Sequence, residues 1–413
     1  MKFHTALRPW AIRRLEKIEH VDMVVGIPCF NNDSTIAHVI DMVSEGIAKY
    51  YKDLQVVVIV SDGGSTDDTR EIARDKIVCP FIEKIITIYR GIPGKGSALR
   101  MIFESASFLQ ARACILCDAD LRSITPEWVK CLAEPILFHK HDFVAPIYTR
   151  YKYDATITNN IAYNLTRALF GKRVRQPIGG DFGLSKSMVN FYFNCKKDIW
   201  KTDIAKFGID IWMTLTAIME DVSICQTYLG SKIHDVKDPS QSLGPMFRQV
   251  VHTLFQLMVD YANKWDRIKG SSTVKTYGNP VFQEAEPFSV NLHRLIENFK
   301  EGFNNFSILW EKIINPQSFN ILKKLSRNNK SGKFSLPSRD WVKIVYDFAY
   351  TFRRWRRDRG KLVDIMRPIY YAQVASFINE TRDMDDKETE DYLEKQAEEF
   401  ESFKPYLLEN WGK

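Results

Sequence analysis

The chain has 413 residues, of which 45% are hydrophobic and 26% are charged. These values exclude global disorder, are typical of folded globular proteins, and give a length that suits two domains. With 58 basic and 51 acidic side chains the formal net charge is +7, too small for a dedicated nucleic-acid binder but compatible with an anionic small substrate.

The first half of the chain alternates short apolar runs with amphipathic segments, which is typical of a parallel sheet covered by helices. We predict strands over 23–27, 56–60, 85–89 and 113–117, and helices over 34–50, 65–77 and 96–109. The run at 56–60 is wholly apolar, so both of its faces should be buried. The pattern predicts an α/β fold with a Rossmann-like nucleotide-binding sheet.

After residue 243 the β-branched runs disappear and apolar residues recur at helical spacing. We predict helices over 246–261, 291–314, 338–355, 361–380 and 388–403, with a loop over 328–337. We therefore predict a catalytic α/β domain over 1–243 and an all-helical C-terminal region over 244–413. This region has no chemical motif that we recognise, and its basic run at 352–361 is typical of a solvated face. We hypothesise that it forms a homodimer or covers the acceptor side of the catalytic domain.

The cysteines and the N-terminus indicate the compartment. Seven cysteines are spread through the chain, and this odd number favours reduced thiols over a disulfide framework. Cys114 and Cys117 form a CxxC pair, but no second pair lies at zinc spacing. The N-terminus lacks a signal-peptide core and no run of 18 apolar residues occurs. We expect a cytoplasmic protein without a membrane span.

The strongest chemical signal is the triplet DAD, in which Asp118 and Asp120 directly follow the fourth predicted strand. Carboxylates at the carboxyl end of a parallel strand lie in the crevice where such sheets bind ligands. Mg²⁺ and Mn²⁺ prefer oxygen ligands and retain water and phosphate oxygens as further partners. Acidic turns also occur without metals, so the triplet needs support from other segments.

Two further strands end in polar loops at the same predicted edge. The segment PCFNN, with Pro28 and Asn32, follows the first strand, and SDGGSTDDT, with Asp62, follows the second. Asp62 could accept a hydrogen bond from a ribose or a base, and the two glycines allow close backbone approach. A capped turn before the next helix is the purely structural alternative at each loop.

A glycine-rich segment precedes the third predicted helix. In PGKG, Gly94 and Lys95 lie where this helix begins, so backbone amides and one ammonium would face a phosphate group. The segment does not satisfy the GxxxxGK[ST] pattern of a Walker A loop.

In their order, PCFNN, SDGGSTDDT, PGKG and DAD resemble the GT-A glycosyltransferases. More narrowly, residues 20–240 are similar to retaining glucosyl-3-phosphoglycerate synthases and, more distantly, to mannosylglycerate synthases. The resemblance implies a GT-A fold that depends on Mg²⁺ or Mn²⁺. It also implies retaining transfer of a hexose from a nucleoside-diphosphate sugar, with UDP-glucose favoured, to 3-phosphoglycerate or glycerate. The product would be a glucosyl-(3-phospho)glycerate of compatible-solute metabolism.

The resemblance also implies a role for particular side chains. The nucleotide sugar would be bound by Pro28, Asn32, Asp62, Gly94, Lys95, Asp118 and Gly180, and the metal by Asp118, Asp120 and His234. The acceptor would be bound by Arg150, Lys152 and Thr158, and catalysis would involve Lys95, Asp181 and Asp210. Among these, Asp181 would recognise a sugar hydroxyl and Asp210 would lie close to the reacting centre.

Three alternatives remain open. An inverting relative acting on another acceptor would use an Asp base in an ED motif followed by an RW pair. Glu220 and Asp221 are present, but the only similar basic run lies far away at 353–357. A nucleotidyltransferase would carry a GxGxRL-like loop after the first strand, where this chain has PCFNN. A non-catalytic sugar-nucleotide binder is disfavoured by the intact DAD, Lys95 and His234.

Overall fold

The computed structural model describes residues 4–234, 244–280, 285–328 and 331–412. The chain forms two compact units. The sheet unit comprises Met1–Arg150, Arg175–Asp235 and Val274–Glu286, and the helical unit comprises Tyr151–Val174, Val236–Thr273 and Pro287–Lys413. The two units therefore do not follow the single boundary predicted at 243/244, because two segments group with the other unit. Residues 151–174 belong with the helices, and residues 274–286 belong with the sheet.

The strands and helices are numbered in chain order. The strands are β1 Met23–Cys29, β2 Val56–Asp62, β3 Ile82–Ile88, β4 Ala113–Leu116, β5 Phe143–Thr149, β6 Lys172–Arg173, β7 Phe182–Ser185, β8 Ile224–Ser231, β9 Ser272–Thr273 and β10 Lys275–Tyr277. The helices of the sheet unit are α1 Pro9–Leu15, α2 Ile36–Tyr50, α3 Thr69–Asp75, α4 Lys95–Phe108, α5 Pro126–His139, α7 Lys186–Asn194 and α8 Ile209–Met219. Those of the helical unit are α6 Tyr163–Phe170, α9 Gly244–Asp260, α10 Ala262–Trp265, α11 Leu292–Ile313, α12 Pro316–Ser326, α13 Ser338–Arg354, α14 Arg359–Thr381, α15 Asp386–Ser402 and α16 Lys404–Trp411.

The sheet unit contains an eight-stranded sheet in the order β10-β8-β5-β7-β4-β1-β2-β3. Its strands pair in parallel except for β7, which is antiparallel to both β4 and β5. Every residue of β1 and β2 is buried, because helices cover both faces of these central strands. The predicted α/β class with a helical C-terminal region is confirmed.

Two predicted elements of this unit begin three or four residues away from their predicted starts. Helix α3 begins at Thr69, four residues after the predicted start. The Asp62 carboxylate accepts the backbone N–H groups of Gly64 and Ser65 at 2.8 and 3.0 Å, which holds these residues in a loop. Strand β3 begins at Ile82, three residues before the predicted start, because it pairs with the whole length of β2.

The helical unit contains the five predicted C-terminal helices, with ends shifted by a few residues, and helices that the periodicity did not predict. Among the latter are α6, α12 and α16, which have eight, eleven and eight residues. Short helices contain too few turns for a clear apolar period. A five-residue π-helical turn, Thr158–Ala162, precedes α6, and a 3-10 turn, Ser331–Lys333, lies within the predicted loop. Over the described ranges, no helix is both long and apolar enough to cross a membrane.

Candidate active site

The polar loops that the sequence predicts at one edge of the sheet do lie at one edge. Strand β1 pairs in parallel with β2 on one side and with β4 on the other. The loops that follow these three strands therefore start at the same end of the sheet, which is where open α/β sheets bind ligands. The DAD triplet directly follows β4, and Asp118 and Asp120 are both half-buried.

Lys95 is the first residue of α4, and the glycines on either side of it allow a very close backbone contact. A Cβ atom on Gly94 would lie 2.5 Å from the carbonyl oxygen of Ala205, and Gly94 has φ +155°. Only glycine fits this combination of space and backbone conformation. The contact directs Lys95 into the site, where its Nζ lies 2.7 Å from Oδ1 of Asp118 and 3.1 Å from Oδ2 of Asp210.

A second lysine, which the sequence analysis did not single out, completes this arrangement. Lys232 follows β8 and is buried. Its Nζ donates to Oδ2 of Asp118 at 3.0 Å, to Oδ2 of Asp181 at 2.7 Å and to the carbonyl oxygen of Gly179 at 2.9 Å. Asp118 is thus bound by one lysine on each carboxylate oxygen. We call Lys95, Asp118, Asp181, Asp210 and Lys232 the charge cluster.

The electrostatics of the cluster depend on which groups are paired. Burial alone would raise the pKa of Asp118, but the ammonium groups of Lys232 and Lys95 outweigh it and hold that pKa well below its usual range. Burial would lower the pKa of both lysines, yet the facing carboxylates raise it. Asp118 is therefore ionised, and both lysines carry their charge, at neutral pH.

The other two carboxylates of the cluster behave differently from Asp118. Burial raises the pKa of Asp181 and of Asp210, and repulsion by Asp118 adds to the effect. Asp181 is fully enclosed, with Oδ1 accepting the N–H of Asp118 at 2.8 Å and Oδ2 accepting from Lys232 and from the Tyr148 hydroxyl. Asp210 lies in the first turn of α8, and its Oδ1 is buried with no hydrogen-bond partner among the described residues. Buried acceptors in proteins are normally paired with a donor, and a bound ligand can supply the donor that Oδ1 lacks.

Gly180 has a steric role in the cluster. Its φ is +94°, and a Cβ atom there would lie 2.1 Å from Oδ2 of Asp118 and 2.9 Å from Nζ of Lys232. Any side chain would therefore separate Asp118 from Lys232. The glycine is required for this ion pair, whether or not a nucleotide also approaches it.

His234 is brought next to the DAD loop by backbone pairing. Leu121 and His234 form an isolated antiparallel bridge, and the N–H of Arg122 donates to the carbonyl oxygen of Ile233 at 2.9 Å. This pairing places the residue after Asp120 opposite His234. Both Asp120 and His234 are half-buried.

The predicted metal ligands fit a divalent cation only in part. Both oxygens of Asp118 are engaged by lysines, so Asp118 does not act as a ligand in this arrangement. Across residues 4–234, 244–280, 285–328 and 331–412, no group of three or more His, Cys, Asp or Glu side chains is arranged to hold a metal. One carboxylate and one imidazole, from Asp120 and His234, suit Mg²⁺ or Mn²⁺ when diphosphate oxygens and water supply the remaining ligands.

Arg150 directly follows β5 and is held by two neighbours. Its Nε donates to Oε1 of Gln176 at 3.2 Å, and its guanidinium carbon lies 5.1 Å from the centre of the Tyr148 ring. The amide nitrogen of Gln176 in turn donates to the carbonyl oxygen of Tyr148 at 3.2 Å. A planar, oriented guanidinium of this kind suits a carboxylate or a phosphate ligand.

The charge cluster, the glycine-rich start of α4 and the DAD loop lie at the carboxyl end of a Rossmann-like sheet, an arrangement that suits a phosphate-containing ligand. Residues 24–192 match the family model described as glycosyl transferase family 2. This similarity to glycosyl transferase family 2 extends over 169 of the 413 residues. This match confirms the resemblance to glycosyltransferases that the four sequence segments predict. No curated protein matches the chain.

Several solved structures of glucosyl-3-phosphoglycerate synthase from Mycobacterium tuberculosis are similar to the chain. The complex with Mn²⁺, uridine diphosphate and glucosyl-3-phosphoglycerate is 25% identical with a TM-score of 0.45, and the match covers 61% of this chain and 85% of that chain. The complex with Mn²⁺, UDP-glucose and phosphoglyceric acid has the same identity and TM-score over 61% and 86% of the two chains. The complex with Mn²⁺, UDP-glucose and glycerol 3-phosphate is 24% identical with a TM-score of 0.43, over 61% and 86%.

Within the family 2 domain, the predicted nucleotide-binding residues of the first two loops mainly organise those loops. Asp62 is fully buried and also accepts from the Ser65 hydroxyl at 2.5 Å. Asn32 accepts the N–H of Phe30 at 2.9 Å and donates its own N–H to Thr69 at 2.7 Å. Pro28 is buried within β1. Their part in nucleotide binding stays a prediction, and these contacts indicate that they would act chiefly by shaping the backbone.

Two of the predicted acceptor residues lie in the helical unit. The Nζ of Lys152 donates to the carbonyl oxygens of Thr381, Arg382 and Met384, at 2.7, 3.1 and 2.7 Å. These contacts use all three ammonium donors and satisfy carbonyls at the end of α14. Thr158 is buried at the start of the π-helical turn. The spacing that matched these residues to an acceptor site therefore corresponds to structural positions, and we do not carry either residue into the proposal.

Sequence reasoning missed Lys232, Tyr148 and Gln176. Lys232 lies two residues before His234, and Tyr148 lies two residues before Arg150. Side chains two residues apart in an extended segment lie on the same face. His234 and Arg150, which were predicted as site residues, could therefore have indicated Lys232 and Tyr148. The family match ends at residue 192, so Lys232, His234 and Asp210 lie beyond it.

Proposed function

We propose that the chain is a metal-dependent glycosyltransferase that moves glucose from UDP-glucose to 3-phosphoglycerate or glycerate with retention of configuration. The family 2 domain supports the transferase class. The choice of donor, acceptor and stereochemistry is supported by the resemblance of the PCFNN, SDGGSTDDT, PGKG and DAD segments, which the geometry of the charge cluster complements.

The observation that carries the proposal is the pair of ammonium groups, from the half-buried Lys95 and the buried Lys232, on the two oxygens of Asp118. When the bond between the sugar and the diphosphate breaks, negative charge develops on the leaving group. Cations already positioned in a buried site stabilise this charge more than they stabilise the neutral ground-state bond, which is the requirement for catalysis. Before a donor binds, the carboxylates of the cluster keep both lysines charged and in position.

Asp120 and His234 would hold the divalent metal. When bound, Mg²⁺ or Mn²⁺ would neutralise the diphosphate and so favour its departure. The half-buried position of Asp120 and His234 beside the cluster supports this assignment.

Asp210 would bind the transferred sugar. Its Oδ2 is paired with Lys95, but its buried Oδ1 has no donor among the described residues, and a sugar hydroxyl is a suitable donor. Asp181, which is fully enclosed, would instead hold Asp118 and Lys232 in place. This reassigns Asp181 from sugar recognition to support of the cluster.

The position of the ED pair favours retention over inversion. Glu220 and Asp221 follow the last residue of α8, whereas Asp210 lies in its first turn. At 1.5 Å per residue, ten helical residues separate the two ends by about 15 Å. The pair is therefore badly placed to supply the base of an inverting reaction at the charge cluster. With no other strong base assigned, we propose same-face attack in which the leaving phosphate accepts the proton of the acceptor hydroxyl.

Arg150 would bind the carboxylate group of the acceptor. Gln176 and the Tyr148 ring fix the guanidinium, which reduces the entropy lost when a bidentate pair forms.

We also propose that the chain forms a homodimer and is located in the cytoplasm. Light scattering tests the first point, and cell fractionation tests the second.

The test measures UDP release from UDP-glucose with Mg²⁺ or Mn²⁺, in the presence of 3-phosphoglycerate, glycerate or no acceptor. We expect release that depends on one acceptor, and an α-linked product by NMR. A β-linked product would overturn retention alone. Absence of acceptor-dependent release, also with GDP-glucose and GDP-mannose, would overturn the proposed donor and acceptor classes.

A further inference from the structure

One buried tyrosine contacts both the donor side and the acceptor side of the proposed site. Tyr148, in β5, has only 6% of its surface exposed. The Nζ of Lys232 lies 5.0 Å from the centre of its ring, and the guanidinium carbon of Arg150 lies 5.1 Å from the same centre. A ring face attracts cations, so this aromatic ring offsets part of the repulsion between the two positive groups.

The hydroxyl of Tyr148 extends this contact to the carboxylates. It donates to Oδ2 of Asp181, the same oxygen that accepts from Lys232 at 2.7 Å. Asp181 also accepts the backbone N–H of Asp118 through Oδ1. Loss of the hydroxyl would therefore loosen Asp181 and, through it, both Lys232 and the DAD loop.

The backbone of Tyr148 contacts the acceptor side as well. Its carbonyl oxygen accepts from the amide of Gln176, and the amide oxygen of Gln176 accepts from Nε of Arg150. The side chain and main chain of one residue thus orient two cations that the proposed reaction uses for different substrates. Trp128 packs against the Tyr148 ring at 5.5 Å between centroids and keeps it in place.

We propose that Tyr148 is a positioning residue that holds the ammonium of Lys232 and the guanidinium of Arg150 in one arrangement, so that donor and acceptor are aligned together. This inference rests on the proposed function. Tyr148 itself touches neither substrate in this role, because it acts through Asp181, Lys232 and Arg150. The hydroxyl acts on the donor side, whereas the ring faces Lys232 on the donor side and Arg150 on the acceptor side. One substitution that removes the hydroxyl and one that removes the whole ring therefore separate these contributions.

The experiment compares Tyr148→Phe with Tyr148→Leu in steady-state kinetics. Tyr148→Phe keeps the ring but loses the bond to Asp181, so kcat/KM for UDP-glucose should fall roughly 10–100-fold while the acceptor KM is unchanged. Tyr148→Leu should show at least the same donor effect, because Lys232 loses the ring contact too. In addition, the acceptor KM should rise about 3–30-fold, because Arg150 loses the ring. A general structural defect would instead change both substrates alike in both variants.

Tyr192→Phe is the matched control. Tyr192 is fully buried in the same unit, and its hydroxyl donates at 2.7 Å to the carbonyl oxygen of Met213, a residue that is not part of the charge cluster. This substitution also removes one buried tyrosyl hydrogen bond, and it should leave both KM values and kcat unchanged. If Tyr148→Leu does not fold, Tyr148→Phe against Tyr192→Phe still decides the donor-side contribution.

Isothermal titration calorimetry measures the affinity for UDP in the presence of Mg²⁺. It separates failure of this inference from failure of the proposed function. We expect the wild-type chain to bind UDP and Tyr148→Phe to bind it roughly tenfold or more weakly. If the wild type, Tyr148→Phe and Tyr192→Phe all bind UDP with the same affinity, the positioning role alone is overturned. Absence of binding by the wild type would overturn the proposed function and this inference together.

Discussion

Both units of the chain bury charged side chains, but they pair them in different ways. In the sheet unit, three carboxylates and two lysines contact one another, and one buried carboxylate oxygen has no donor among the described residues. In the helical unit, Arg167 is almost fully buried, with Nη1 at 2.5 Å from Glu394 and Nε at 2.6 Å from Glu401. These two glutamates lie on one face of α15 and extend toward solvent, so Arg167 links α6 to that helix.

The partners of buried lysines also differ between the two units. The ammonium of Lys404 donates to the carbonyl oxygens of Trp265 and Ile268, at 2.7 and 2.5 Å. Burial lowers the pKa of Lys404 to about 8, since carbonyl oxygens compensate the charge less than carboxylates do. Lys152 likewise donates to three carbonyl oxygens, and its Nζ also lies 5.5 Å from the centre of the Tyr153 ring. Both lysines satisfy backbone groups at chain turns, a structural task.

This contrast indicates which buried charges serve function. A structural ion satisfies neighbours that would otherwise be unpaired, whereas the charge cluster places three carboxylates together. There, burial raises the pKa of Asp181 and of Asp210, and repulsion by Asp118 adds to it. Crowding of this kind costs stability and is typical of sites that act on a ligand. The following predictions test the contrast with matched residues.

The largest effect is expected for Asp120→Ala. Loss of this proposed metal ligand should lower kcat/KM by roughly 10³-fold or more, because the diphosphate charge is no longer neutralised. UDP release at saturating Mn²⁺ measures it, and EDTA should reduce the wild-type rate to the same level. Asp33→Ala, which removes an exposed carboxylate in the first loop, is the control and should keep wild-type rates. Normal turnover by Asp120→Ala with the metal chelated would contradict the metal assignment.

Lys95→Met and Lys152→Met compare a lysine of each unit directly. Lys95→Met should reduce kcat by about 10²–10³-fold, the usual cost of removing one group that stabilises transition-state charge. Lys152→Met should leave kcat unchanged and instead lower the free energy of unfolding by about 1–3 kcal/mol, because carbonyl oxygens at the end of α14 lose their donors. Kinetics and thermal denaturation of both variants give the answer. Equal effects on kcat would remove the distinction between the two lysines.

Arg150→Ala should chiefly raise the acceptor KM. A charged hydrogen bond contributes about 1.5–3 kcal/mol, which corresponds to an increase of about 10–150-fold with little change in the KM for UDP-glucose. Arg112→Ala is the matched control, because Arg112 is a surface arginine paired with Asp22 at the opposite end of β4. An acceptor KM that stays the same in Arg150→Ala would remove Arg150 from the site.

The smallest effects are on stability and compare a buried aspartate of each unit. Because the folded-state pKa of Asp210 is raised, its stabilising contribution is present at low pH and is lost as the pH rises through that value. Asp210→Asn should therefore be more stable than the wild type at pH 7, by roughly 1 kcal/mol, and this gain should shrink as the pH falls. Chemical denaturation at several pH values measures it.

Asp347→Asn is the counterpart in the helical unit. Burial raises the pKa of Asp347 too, but its carboxylate accepts from the backbone and side-chain amides of Asn315, at 2.8 and 2.9 Å, and from the Tyr406 hydroxyl at 2.5 Å. An asparagine offers one acceptor oxygen instead of two, so either the Tyr406 hydroxyl proton or the Asn315 N–H groups lose their acceptor. The variant should therefore lose about 1–3 kcal/mol of stability at pH 7. Stabilisation by both substitutions would show that the two units do not differ in how they satisfy buried carboxylates.

Much of the sheet and part of the site could be predicted from local signals. The apolar runs at 23–27, 56–60 and 113–117 became strands. The structure also brings the segments of Asp120 and His234 together, although their role as metal ligands stays a prediction. Residues 151–174 lie in the predicted first domain but group with the helical unit, because their helical character is local whereas α6 packs against α15, far along the chain. Lys152 illustrates the same limit, since its three acceptors are more than 200 residues away in the chain.

The sequence by itself determined the α/β class, the shared edge of the polar loops and the type of chemistry, because these follow from side-chain period, strand order and short motifs. Only the tertiary structure decided which charges meet. Asp118 pairs with Lys95 and Lys232 rather than standing free as a metal ligand, and Tyr148 lies between Lys232 and Arg150. These contacts join β4, β5, β8 and α4, whose relative placement depends on packing between segments that are far apart in the chain.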